Sequence, residues 1–137
     1  MSTQAKGTFD LKSWDEQTWE GQSSKGVPGA KLTHARVTNA FHGDIEGEGT
    51  AQMLMVYQDD GSASYVGLER VIGRVGSRSG SFVWQSHGIF EDGAAKTTWS
   101  VVPGSGTGDL AGLRGKGGYI AHHGEEHIPF TFDYNFE

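Results

Sequence analysis

Glu69 and His87 have the chemistry and the spacing for acid–base work. A three-residue turn over 77–79 sets them opposite one another on neighbouring strands, with Arg70 opposite Ser86 and Leu68 opposite Gly88. A partly buried carboxylate beside an imidazole could remove a proton from carbon. The same register turns both side chains outward, where a solvated or inter-subunit contact is the plainer reading. It turns Arg70 inward. An interior guanidinium needs an anion, either a ligand carboxylate or developing oxyanion, or a chain carboxylate such as Glu46 or Glu48.

Two other stretches invite a chemical reading. His122, His123, Glu125, Glu126 and His127 crowd one turn, and His123 and His127 are four apart, a zinc-binding interval if helical. Gly124 and the flanking strand-like runs favour a hairpin loop instead, so no metal and no organic cofactor is expected. The glycine-dense GSGTGDLAGLRGKGG (104–118) fails the phosphate motifs. Leu110 stands where a P-loop needs glycine, and Gly117 where it needs Ser or Thr. GTGDLA (106–111) fits G-x-G-x-x-A, but no long helix follows to receive a pyrophosphate. The stretch is expected to be structural: a short helical plug in which Leu110 and Leu113 cap the core, its glycines letting the backbone cross closely.

The elements that carry these residues are strands. Short β-branched and aromatic runs alternate with turn signals, and helical periodicity is nearly absent. Eight strands are expected at about 6–14, 31–42, 45–57, 63–75, 80–90, 95–102, 115–122 and 128–136. Residues 15–30 read as an irregular loop that could serve as a lid, with Trp19 as an anchor. The fold class is all-β, an eight-stranded antiparallel closed barrel forming a single domain over 1–137, because closure removes exposed edges. A sandwich is the alternative.

Hairpin arithmetic then assigns faces. A two-residue loop at Asp60-Gly61 pairs Met55 with Val66, Met53 with Leu68 and Gln52 with Glu69. A two-residue loop at Asp92-Gly93 pairs Trp84 with Val101, Ser86 with Trp99 and His87 with Thr98. The lining so predicted includes Met53, Met55, Leu68, Trp84 and Trp99, with Arg70 and Ser86 as polar members, and Phe132 and Tyr134 from the last strand. These could fill a small barrel or wall a pocket for one apolar ligand. Val56, Tyr65, Val71, Val83 and Ile89 fall on the outer face, which suggests a homo-oligomer.

Composition narrows the partners. With 11 basic against 17 acidic residues and a net charge of −6, no basic face is available for nucleic acid. The absence of cysteine removes disulfides and thiolate metal sites. No apolar run approaches a membrane span or a signal peptide, so a cytoplasmic protein is expected.

Taken together, PGSGTGDLAGLRGKG (103–117), GDIEGEGTA (43–51), YVGLERVIG (65–73) and SGSFVWQSHGIF (79–90) resemble the bacterial DUF3224 family. The glycine-rich turn resembles that of allene-oxide-cyclase-like and dirigent-like barrels. The resemblance runs from about residue 5 to 137 and implies a barrel of that type with a central cavity. It brings no reaction and no active residues to this chain. The functional expectation is a small-molecule-binding barrel for an apolar or aromatic ligand. The alternatives are a cofactor-independent isomerase, cyclase or lyase using a carboxylate or histidine base, and a structural barrel with a packed interior.

Overall fold

The structure is a computed structural model that describes residues 2–23 and 29–137. Eight antiparallel strands run in chain order around a closed barrel: β1 (Thr3–Thr18), β2 (Lys31–Gly43), β3 (Ile45–Tyr57), β4 (Ala63–Val75), β5 (Arg78–Glu91), β6 (Ala94–Val101), β7 (Leu113–His122) and β8 (Ile128–Phe136). β8 closes onto β1, with Gly7 opposite Phe130. The first strand reaches Thr18, beyond the 6–14 expected, so 15–18 is strand and not loop. Trp19 anchors the end of that strand through its indole N–H to the Thr33 carbonyl (3.3 Å). The lid expectation for 15–30 falls partly outside the described residues.

Turn chemistry decides the register. At the β5–β6 turn Asp92 and Gly93 both have positive φ (52° and 75°), which matches the two-residue type I′ geometry. Trp84 therefore faces Val101, and His87 faces Thr98, as expected. The other two hairpins differ from expectation. Asp60 Oδ1 accepts from both the backbone N–H and the hydroxyl of Ser62 (2.9 and 2.7 Å). This aspartate-centred turn leaves five residues between the paired Tyr57 and Ala63. Between β4 and β5 the loop is two residues, with Gly76 at φ 59° and Val75 opposite Arg78.

Each change shifts pairing by an odd number of residues, which reverses β4 in the wall. Tyr65, Glu69 and Val71 point inward and are buried. Val66, Leu68 and Ile72 point outward at 55%, 51% and 55% exposure. Arg70 is also outward, opposite Thr50 on β3 and Val83 on β5.

The two ends of the barrel are closed differently. At the end holding both termini, Ile45, Val75, Phe82, Leu113 and Phe132 pack into one buried cluster with Leu110. Leu110 belongs to a single 3-10 turn, Gly108–Leu110, and is fully buried. This is the expected plug. A Cβ on Gly106 would collide with the Leu110 carbonyl, so the glycines serve the chain's approach to itself. The opposite end carries the turns after β3, β5 and β7, and among the described residues a cavity reaches it beside Tyr57 and Gly61. Leu110→Ala should destabilise the fold by about 2–5 kcal/mol, measured by urea unfolding, through the cavity it leaves at the plugged end. A loss below about 1 kcal/mol would mean that the plug contributes little.

Candidate functional site

The open half of the barrel contains a cavity of about 370 Å³. Its wall is built from small and flexible inward residues of β2, β3 and β4, among them Val37, Ala51, Met53, Met55 and Tyr65. On the other side stand Phe9, Trp99 and Tyr119, with Phe9 and Tyr119 edge to face at 4.8 Å between ring centres. A bulge between Leu11 and Ser13 lets both Leu11 and Trp14 reach the cavity from β1.

Polar groups collect in its depth. Glu69 is 2% exposed. Its Oε1 accepts the Trp84 indole N–H at 2.8 Å, and its Oε2 accepts the Asn39 amide N–H at 2.7 Å. Asn39 is itself 8% exposed, and its Oδ1 has no hydrogen-bond partner. Gly49 makes the carboxylate's position possible, since a Cβ there would run into Glu69 and into the Phe41 ring. Ser86 reaches the cavity from β5. The Tyr65 hydroxyl shares a hydrogen bond with Thr97 Oγ1 at 2.6 Å, and Gly88 leaves room for it. Nearer the mouth, the Tyr57 hydroxyl donates to Glu16 Oε2 at 2.6 Å.

Burial holds the Glu69 carboxyl above its ordinary pKa, while the N–H groups of Trp84 and Asn39 act in the other direction. Burial likewise pushes the Tyr65 and Tyr119 hydroxyls upward. Among the described residues lining the cavity there is no lysine, arginine or histidine. Two good hydrogen bonds to a charged group offset only part of the several kcal/mol that removing an ion from water costs.

With this geometry in hand, the matches to other proteins can be weighed. Residues 5–134 match the family described as "Protein of unknown function (DUF3224)". The chain belongs to that family. A crystal structure of a DUF3224 protein of unknown function from Shewanella oneidensis MR-1 is similar to it. The two share 33% sequence identity, with coverage of 100% of this chain and 99% of the other, at a TM-score of 0.81. No curated protein matches.

In this DUF3224 protein the residues singled out from sequence are dispersed. Met53, Met55 and Trp99 line the cavity. Trp84 lies beneath it, stacked on Trp99 at 4.0 Å, and touches the site through Glu69. Phe132 and Tyr134 pack against each other on β8, paired across to Gly117 and Gly115, toward the plugged end. Leu68 and Arg70 lie outside the barrel, because the hairpin loops on either side of β4 differ in length from those expected. The same reversal separates the expected acid–base pair. Glu69 is inside, opposite Trp84, while His87 is outside and hydrogen-bonded to Thr98 Oγ1 at 2.9 Å.

His123 and His127 sit in the β7–β8 turn, and His127 Nδ1 meets Asp10 Oδ1 at 2.7 Å. No group of three or more metal-ligating side chains converges among the described residues. Likewise, no helix among them is long and apolar enough to cross a membrane. The sequence reading missed Asn39, Tyr119 and Thr97 as site residues. It also turned Tyr65 outward. The available signal was glycine at inward strand positions 49 and 88, each clearing space for a larger polar group.

A carboxyl held above its unfolded pKa adds stability at low pH, and that stability is lost as pH rises from the ordinary glutamate value of 4.5 toward the raised one. Glu69→Gln removes this titration. From about pH 4 to 8, the melting temperature of the wild type should therefore fall relative to that of the variant. A difference that stays constant with pH would mean that Glu69 has the same pKa folded and unfolded.

Proposed function

We propose that this protein binds one small apolar or aromatic molecule inside the open half of the barrel, with the molecule's polar end against Glu69 and Asn39. One observation carries the reading. A connected space of about 370 Å³ is walled by apolar side chains and has one concentrated polar spot in its depth. That combination is what small-molecule sites share: bulk apolar contact for affinity and a few placed polar groups for orientation. A barrel serving only as a structural element would be expected to fill this half as it fills the plugged half. The eight sequential antiparallel strands also support keeping the barrel within the allene-oxide-cyclase-like, dirigent-like type.

A second reading is favoured by Glu69 alone. A buried carboxyl of raised pKa inside an apolar cavity suits proton transfer to or from carbon, the isomerase alternative, with the base moved from the expected Glu69–His87 pair to Glu69. His87 has no part in it from outside the wall.

Native mass spectrometry of the freshly purified protein, with denaturation and identification of what is released, tests the binding reading. A discrete bound mass is expected, and Ala121→Trp, which adds a large ring to a cavity-lining position, should lose it. Uptake of a neutral apolar dye should fall in parallel. A dye that binds the wild type and the tryptophan variant equally would place binding elsewhere and overturn the reading.

A further inference from the structure

We infer that the polar end of the ligand is an ammonium group bearing N–H, and that the ligand class is a primary or secondary amine with an apolar or aromatic tail. This rests on the binding reading above and names the chemistry of its polar spot.

Three observations converge on the cation. First, Glu69 is a buried carboxyl with two N–H donors and no positive partner, and no basic side chain lines the cavity among the described residues. Burial disfavours its ionised form, and a cation seated beside it supplies the counter-charge that keeps it ionised. Second, Asn39 Oδ1 is a buried acceptor with no donor, on the same side chain whose amide nitrogen already holds Glu69. An ammonium carries more than one N–H and can serve the Glu69 carboxylate and the Asn39 carbonyl together. An alcohol has a single O–H and must choose. Third, Trp99, Tyr65, Tyr119 and Phe9 line the same cavity as Glu69. Aromatic faces attract cations, most strongly where water is excluded.

Other ligand chemistries fit less well. A carboxylate or phosphate would meet Glu69 with no cation to offset the repulsion. A ketone has no N–H or O–H to offer Asn39 Oδ1. A quaternary ammonium keeps the charge but also lacks the N–H that the orphaned carbonyl needs. The chain as a whole carries a net charge of −6. That excess favours the approach of a cation over that of an anion.

The test is a matched series titrated by intrinsic tryptophan fluorescence near neutral pH, in competition with a neutral naphthylamine dye. The series is 4-phenylbutylamine, its N,N,N-trimethyl analogue, 4-phenylbutan-1-ol, 5-phenylpentan-2-one and 4-phenylbutyrate. The primary amine should bind at least about tenfold more tightly than the alcohol, the ketone or the trimethyl analogue, and the carboxylate should be the weakest. Glu69→Gln should cost the amine about tenfold while changing the alcohol by less than about threefold.

Because the series is read on the wild type, the result does not depend on the variant folding. If the alcohol matches the amine while the dye still binds, the ammonium inference fails and the cavity reading stands. If the ketone exceeds the amine, Glu69 is donating a hydrogen bond from its neutral form, and the ammonium inference fails. If neither the dye nor any member of the series binds, the cavity reading fails and takes this inference with it.

Discussion

The indole of Trp84 joins the two halves of this barrel. Its face stacks on Trp99 at 4.0 Å and 8° between planes, and its edges meet Phe41, Phe82 and Phe132. Its N–H, a donor that a buried tryptophan must place, goes to Glu69 Oε1. Below the ring the barrel is packed with aromatic side chains, and above it lies the cavity. An eight-stranded barrel is just wide enough for side chains to fill. A cavity therefore requires that one level carry small residues, and the inward residues of that level include Ala35, Ala51 and Ala63. Trp84 marks where the filling stops, and it uses its polar atom to fix what stands at the boundary.

The plugged end follows from the same constraint. Ring stacking fills a cylinder sideways but leaves its end exposed, so a cap is needed. Leu110 supplies the cap from outside the strand ladder, on one turn of 3-10 helix that returns the chain into β7. Such a turn crosses the barrel rim only where backbone meets backbone without a Cβ between them. That is why the glycines gather there, and why a motif resembling a nucleotide fingerprint has no phosphate to hold.

Strand count, order, closure and the plug were legible in the sequence because each leaves a local mark: turn residues, alternation, or glycine density. The facing of β4 was not. Its outward positions carry Val66, Leu68 and Ile72, and its inward positions carry Gly67, Glu69 and Gly73 alongside Tyr65 and Val71. Read by hydropathy alone, the strand looks reversed. The decisive information lay in the turns. Asp60 bonds to Ser62 and lengthens one hairpin loop, while Gly76 shortens the other, and sequence arithmetic that treats Asp-Gly uniformly misses both. At Asp92-Gly93 the simple rule holds, so β5 and β6 were placed correctly. Trp99 could thus be assigned to the lining. Met53 and Met55, on β3, face inward as expected although their expected partners on β4 do not, and Glu69 and Asn39 could not be assigned. Asn39 carries no turn or motif signal; it becomes a site residue only because it pairs with Gly49 of β3, across which it reaches Glu69 on β4.

The reversal of β4 changes what the buried carboxylate means. A surface Glu69 paired with His87 would be an unremarkable polar contact. An interior Glu69 works against stability, since a well-packed apolar residue of similar size is commonly as good or better in such a place. Yet three other strands are arranged around it. β3 contributes Gly49, whose missing side chain gives the carboxylate its space, β2 contributes the Asn39 amide, and β5 contributes the Trp84 indole. A fold needing only a filled core has no reason to commit four positions to holding one acid at the edge of an open space. Each of these choices conflicts locally with close apolar packing, and conflicts of that kind concentrate at functional sites. Asn39 makes the same point in miniature: its amide nitrogen is satisfied by Glu69, while its buried carbonyl has no hydrogen-bond donor among the described residues.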